Sequence, residues 1–266
     1  MKERVDVLCV QQGLFESREK AKRAIMAGLI HSDHERLDKP GMKIDAETEL
    51  FIKGETLRYV SRGGLKLEKA IETFHISLSG LTMLDIGAST GGFTDCALQN
   101  GAAKVYAVDV GTNQLAWKLR NDERVISMEK MNFRYATKED FNNDTIDFVS
   151  IDVSFISLKH MFTALEHIVS EGCQIAALIK PQFEAGREDV GKNGIVRDIK
   201  VHKRVIEQVI QYAQACGFGI QGLTYSPITG GKGNIEFLGY FVVGSESKAI
   251  DIDDVIKQSQ RLKGGH

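Results

Sequence analysis

The chain has 266 residues, 42 % hydrophobic and 26 % charged, with a formal net charge of −2. That length suits one large domain or a medium domain with a small appendage, and the charge excludes a globally cationic nucleic-acid binder, so any such surface must be local. Cys9, Cys96, Cys173 and Cys216 are too scattered for a zinc site or a disulfide frame. His31 and His34 come nearest to ligand spacing but lack a third partner, and no metal is expected. No apolar run reaches the ~18 residues of a membrane helix or reads as a leader, so the expected setting is cytoplasmic, without a membrane partner.

From the N-terminus, Val5, Leu8 and Cys9 form a short helical stripe closed by Gly13. Ser17 can cap a second helix, Arg18 to Ala27, with Gly28 as its stop. That helix carries Arg18, Lys20, Lys22 and Arg23 against Glu19. Short strand-like pieces follow at Leu29–His31, Met42–Ile44 and Glu49–Ile52. The helix–turn–helix order, the Ser-Arg-Glu-Lys-Ala start and the Ala-Gly-Leu-Ile exit resemble the S4 RNA-binding domain. The resemblance implies that Arg4, Arg18, Lys20, Lys22 and Arg23 meet RNA phosphates, with salt-sensitive affinity and little base information. The turn His31 to Arg36 departs from the family's usual one, and Asp33 and Glu35 dilute its positive charge. This first module is placed at residues 1–57.

Residues 58–77 read as a basic linker running into an amphipathic helix, with Leu65, Leu67, Ala70, Ile71 and Phe74 on its apolar side. Gly63-Gly64 just ahead of it would let the backbone pass close to another surface, and Arg62 there is a further RNA candidate.

From Leu81 strands and helices alternate. Apolar strands are expected at Met83–Ile86, Lys104–Asp109, Val125–Met128, Ile146–Val153, Gln174–Lys180, Gly219–Ser226 and Glu236–Val243. Helices are expected at Phe93–Asn100, Gln114–Asn121, Ser157–Ser170 and Ile199–Cys216. The pattern predicts an α/β fold, a Rossmann-like, mostly parallel sheet ending in an antiparallel strand, over residues 78–245. The tail, 246–266, reads as a frayed terminal helix.

Ligands on such sheets bind beyond the carboxyl ends of the strands, which singles out the Gly87–Gly92 loop, Asp109, Asp152 and Lys180. The loop is Gly-x-x-x-Gly-Gly, not the Gly-x-Gly-x-x-Gly that seats a pyrophosphate. S-adenosylmethionine has no pyrophosphate and fits better; a nicotinamide or flavin nucleotide is the alternative. The candidate cofactor residues are Asp85, Gly87, Ala88, Ser89, Gly91, Gly92, Phe93 and Asp109, with Asn132 as a further contact.

Five blocks occur in one order: Ser-Arg-Gly-Gly-Leu-Lys-Leu from Ser61, Gly-Ala-Ser-Thr-Gly-Gly-Phe-Thr from Gly87, Asp-Val-Ser-Phe from Asp152, Lys-Pro-Gln-Phe-Glu from Lys180, and Ser-Pro-Ile-Thr-Gly-Gly-Lys-Gly-Asn-Ile-Glu-Phe from Ser226. Together they closely resemble the bacterial hemolysin A family, whose members look like FtsJ-type ribose 2′-O-methyltransferases carrying an N-terminal S4 domain. The resemblance implies a Lys-Asp-Lys-Glu tetrad at Lys66, Asp152, Lys180 and Glu236, S-adenosylmethionine as cofactor, and methylation of a cytidine 2′-hydroxyl in large-subunit rRNA, in some members also small-subunit rRNA. Ribosomal RNA or ribosomal subunits would be the partner.

The chemistry explains such a set. A ribose 2′-hydroxyl is a weak nucleophile that must be aimed at the methyl group and relieved of its proton. A free lysine titrates near ~10.4 and is a poor base at neutral pH; a second ammonium and partial desolvation lower it, while carboxylates oppose the shift and orient it. Lys180 is expected at the 2′-oxygen, with the lysine roles exchangeable. A competing reading is a non-catalytic RNA-binding or ribosome-assembly factor that keeps the fold. A pore-forming cytolysin, which the family's name evokes, lacks any spanning segment.

Overall fold

The protein was analysed as a computed structural model, which describes residues 2–32, 36–52 and 58–263. The turn carrying Asp33, His34 and Glu35, the end of the expected first module and the terminal Gly-Gly-His lie outside the described residues. Contacts divide the chain into two units, Met1–Arg58 and Tyr59–His266.

In the first unit, β1 (Lys2–Arg4) leads into α1 (Val5–Gln11) and α2 (Arg18–Met26), then β2 (Ile30–His31), β3 (Arg36–Leu37), β4 (Lys43–Asp45) and β5 (Phe51–Ile52). β1 pairs with β4, and β2 lies between β3 and β5. Ser17 caps α2, its side chain accepting from Lys20 N and supplying one acceptor for the unpaired first-turn amides. Val5, Leu8, Cys9, Ala21, Ile25, Ile30 and Leu37 form the core, so both helices turn their period-3.6 apolar stripe inward.

The second unit opens with α3 (Gly64–Phe74) and continues through β6 (Thr82–Ile86), α4 (Gly92–Gln99), β7 (Lys104–Val108), α5 (Trp117–Arg120), β8 (Val125–Met128), β9 (Phe148–Ile151), α6 (Leu158–Leu165), β10 (Gln174–Ile179), α7 (Pro181–Glu184), α8 (Ile199–Ala215), β11 (Phe218–Tyr225), β12 (Phe237–Val243) and α9 (Ile252–Ser259). Its seven strands run β11-β12-β10-β9-β6-β7-β8. The pairs among β10, β9, β6, β7 and β8 are parallel, and β12 is antiparallel to both β10 and β11. The last strand, β12, is thus antiparallel as expected, and it lies between β10 and β11.

Side chains alternate across a strand, and this builds two cores. Leu84, Ile86, Tyr106, Val108, Val149, Ile151, Ile175 and Ile179 pack with Phe162 and Val205 from α6 and α8. Met83, Val105, Ala107, Phe148, Ala176 and Leu178 pack with Leu67, Phe93, Cys96 and Leu119 from α3, α4 and α5. Both faces of the sheet are therefore covered, as near-continuous apolar strands require. The chain order reverses between β6 and β9, and that switch point is where an open α/β sheet forms its ligand crevice.

Candidate active site

The crevice is built from the ends of β6, β7 and β9. Past Ile86 the chain turns at Gly87, with φ 86°, a left-handed value that glycine adopts without steric cost. A Cβ at Gly87 would lie 2.3 Å from the backbone oxygen of Asp152, so only glycine lets the loop rest against the end of β9. Gly87 N and Ala88 N both donate to Val108 O, at 2.9 and 3.0 Å, and Gly91 N donates to Ala88 O at 2.7 Å. Asp109 closes the far side, accepting from Ser89 N at 2.8 Å and Gly111 N at 2.7 Å. Each of its oxygens retains a lone pair, and the residue is half-buried. Asn132 lies close by: Met131 N donates to Asp109 O at 3.0 Å, and Asn132 Oδ1 accepts from Arg134 N, leaving an exposed amide.

The loop offers a nucleoside its backbone, exposed Ser89 and Asp109. Ala88 and Phe93 turn their side chains into the core. Asp85 lies beneath the loop. It is 0 % exposed, accepts from Thr94 Oγ1 at 2.7 Å and Ser150 Oγ at 2.8 Å, and braces the loop from beneath by tying β6 to α4 and β9. Burial pushes its carboxyl up to about 6; the two hydroxyl bonds pull it down and the Asp152 charge adds to the rise.

On the other side of β9 the tetrad candidates come together. Lys66 stands in the first turn of α3, Asp152 just past β9, Lys180 just past β10 with Pro181 opening α7, and Glu236 just ahead of β12. Lys66 Nζ donates to Glu236 Oε2 at 2.8 Å and lies 3.8 Å from Asp152 Oδ2. Lys180 Nζ is 2.5 Å from Asp152 Oδ1 and donates to Ser154 Oγ at 3.0 Å. Charges thus alternate along a chain, Glu236, Lys66, Asp152, Lys180, with Glu236 2 % exposed and both lysine side chains 10 %. Each buried charge has an opposite partner, as its desolvation demands. Lys66, far away in sequence, arrives because α3 packs on α4 and β12. There Val60 N donates to Asp95 Oδ2 at 2.8 Å, and a Cβ at Gly92 would meet Gly64 N at 2.7 Å. Gly63-Gly64 therefore does pass close to another surface.

The surrounding residues were less visible in the sequence. Gln182 Nε2 donates to Glu236 Oε1 at 3.1 Å. Glu184 accepts from Ser157 Oγ and Leu158 N, both at 2.7 Å; it clasps the start of α6, and burial pushes its carboxyl upward. Phe155, 90 % exposed with φ 64°, lies 4.8 Å from the Phe183 ring, centroid to centroid. Ser154, two residues past Asp152, Glu184, closing Lys-Pro-Gln-Phe-Glu, and Thr94, closing the block from Gly87, had a signal in their motifs; Ser150 had none.

The basic candidates of the first unit are held by neighbouring acids. Arg4 and Arg18 both bond Asp6, each with a contact of 2.8 Å, and the Arg4 guanidinium first, with Arg18, holds that buried carboxyl down at about 2. Lys20 pairs with Glu16, an acid just ahead of the basic helix, and Lys22 with Glu19. Arg23, and Arg62 in the second unit, are exposed. Among the described residues no group of three His, Cys, Asp or Glu could hold a metal ion, and no helix is long and apolar enough to cross a membrane.

Comparison with known proteins adds independent findings. Residues 59–242 match the profile of the FtsJ-like methyltransferases, and residues 3–50 match the S4 domain. The chain is 62 % identical over 237 residues to YqxC of Bacillus subtilis, named as a candidate rRNA methyltransferase, covering 89 % of this chain and 84 % of that one. It is 42 % identical over 235 residues to the 16S/23S rRNA (cytidine-2′-O)-methyltransferase TlyA of Mycobacterium tuberculosis, covering 88 % and 87 %. A solved structure from Streptococcus thermophilus, described as a candidate hemolysin, superposes with a TM-score of 0.79 at 57 % identity over 99 % of this chain and 97 % of that one.

Proposed function

The chain belongs to the FtsJ-like methyltransferase family, with an S4 domain ahead of the methyltransferase unit, and from that premise we propose that it methylates the 2′-hydroxyl of a cytidine in rRNA, using S-adenosylmethionine. The observation that carries the reading is the alternating Glu236–Lys66–Asp152–Lys180 chain beside a glycine cradle that a Cβ would fill. The names of the M. tuberculosis and B. subtilis relatives support rRNA as the acceptor; large-subunit rRNA, with or without the small subunit, is the finer proposal.

The donor set suits S-adenosylmethionine. The Gly87, Gly91 and Gly92 backbone and Ser89 would lie along its methionine part, Asp109 would take the ribose hydroxyls, and Asn132 would reach the adenine side. Bound there, it supplies a sulfonium methyl, which passes to the ribose 2′-oxygen as its carbon–sulfur bond breaks and a carbon–oxygen bond forms. Lys180 Nζ, having first given up one proton to solvent, holds the 2′-oxygen in line and takes its proton, which then leaves to solvent in turn. Asp152 and Ser154 fix the direction of that Nζ, while Glu236 and Lys66 fix Asp152 from behind. Proton removal by a positioned side chain contributes rate gains of about 10² to 10⁴. Arg4, Arg18, Lys20, Lys22, Arg23 and Arg62 would bind RNA phosphates; ion pairing with Asp6 leaves the planar guanidiniums of Arg4 and Arg18 fixed and partly exposed.

Lys180→Ala tests the assignment. Methyl transfer to rRNA is expected to fall at least about 10²-fold while calorimetry shows unchanged cofactor affinity. Near wild-type transfer by this variant would refute the role of Lys180.

A further inference from the structure

Among the described residues, Gln182 is the one tetrad neighbour with a buried side-chain polar atom left without a partner. Its amide orientation is set by the partner: an ionised carboxylate only accepts, so the nitrogen faces Glu236 Oε1 at 3.1 Å. A Cβ at Gly230 would lie 2.0 Å from that same oxygen, so the loop ahead of β12 closes over Glu236 and holds the pair in place. The other end of the amide, Oε1, is buried and has no hydrogen-bond partner among the described residues. Buried acceptors are normally satisfied, and one left open beside a reactive cluster calls for a donor from a ligand.

Topology says which ligand. The cofactor cradle belongs to β6 and β7, whereas Gln182 follows β10 and touches the residue before β12, with β9 between them. Neighbouring strands lie about 4.8 Å apart, which puts Gln182 roughly two strand spacings from the cradle, on the acceptor side of the tetrad. We propose that Gln182 Oε1 accepts a hydrogen bond from the nucleoside being methylated, while Nε2 holds Glu236. The inference rests on the methyl-transfer reading above. An internal ribonucleotide has both ester oxygens closed, so its donors are the 2′-hydroxyl, whose one proton goes to Lys180, and the N–H groups of its base. On cytosine the latter is the exocyclic amine.

The test compares full-length wild type with Gln182→Leu in single-turnover methylation of ribosomal subunits from a strain lacking the protein. The subunits carry either the cytidine mapped as the target or a uridine in its place, and S-adenosylmethionine affinity is measured in parallel. The variant is expected to lose about 10- to 100-fold in kcat/KM on cytidine, with cofactor affinity within about twofold. If the amine is the donor, the wild-type preference for cytidine over uridine collapses toward one in the variant. A loss that falls equally on both bases, with the preference unchanged, overturns the proposal. Activity within twofold of wild type on cytidine, or cofactor affinity falling in step with activity, overturns the proposal. Absence of transfer by the wild type overturns the functional reading itself, and this inference with it.

Discussion

Replacing Asp85 by asparagine separates a brace from a ligand contact. The carboxyl is wholly buried, and its two partners are hydroxyls, Thr94 Oγ1 and Ser150 Oγ. Burial is the main cause that lifts it from 3.8 to about 6. Folding therefore favours the protonated form: this group's contribution is fully present below the unfolded value and is lost as pH rises through about 6. At neutral pH the buried charge costs about 3 kcal/mol. Asparagine keeps the shape and one acceptor and removes the charge, and a hydroxyl can rotate to accept from its nitrogen. One amide hydrogen is left without an acceptor, which returns about 1–2 kcal/mol. The net expectation is a second unit more stable by about 1–2 kcal/mol at pH 7, with the advantage shrinking as pH falls from 6 to 4. Urea unfolding followed by circular dichroism at pH 4.5, 5.5 and 7 measures the difference between variant and wild type. Calorimetry of S-adenosylmethionine on the same protein should show affinity within about threefold, or less than 1 kcal/mol. A difference that does not vary with pH would refute the buried-charge account, and a tenfold loss of cofactor affinity would return Asp85 to direct contact.

Two further substitutions probe the frame of the site. Gly87→Ala sets a Cβ 2.3 Å from Asp152 O at a φ of 86°; we expect destabilisation of about 1–3 kcal/mol and loss of cofactor binding, measured by thermal melting and calorimetry, and an intact affinity would show that the loop does not need its close approach to β9. Glu184→Ala removes both acceptors at the start of α6 and should lower stability by about 1–2 kcal/mol and slow methyl transfer without weakening cofactor binding, with Glu184→Gln recovering part of both; an alanine variant as active and stable as wild type would show that the clasp does not hold the start of α6.

Much of the fold was legible because the physics that made it is local. Period-two burial in a doubly covered sheet gives apolar runs, and β8 matches its expected span, with most other strands shifted by a residue or two. Helix ends were harder. The expected Gln114–Asn121 helix is only Trp117–Arg120, because Ala116 N is already donating to Thr90 O in the glycine loop. The helix expected at Ser157–Ser170 stops at Leu165. Asp152 and Lys180 could be singled out as strand ends alone. Lys66 and Glu236, 170 residues apart, could be joined only through the resemblance, since no spacing rule reaches across two helices and a sheet. The bracing role of Asp85 was not legible in the sequence: alternation, which sends Leu84 and Ile86 to one core, sends Asp85 under α4 toward Thr94. That partner lies nine residues on and closes the block from Gly87, but nothing in the block marks it as a partner of Asp85.

The most direct test of the account is mass-spectrometric mapping of ribose methylation in rRNA from cells with and without this protein. Loss of one 2′-O-methylcytidine, or of one in each subunit, restored by the wild-type chain and not by Lys180→Ala, is the predicted result. An identical methylation map in the two strains would contradict the central claim.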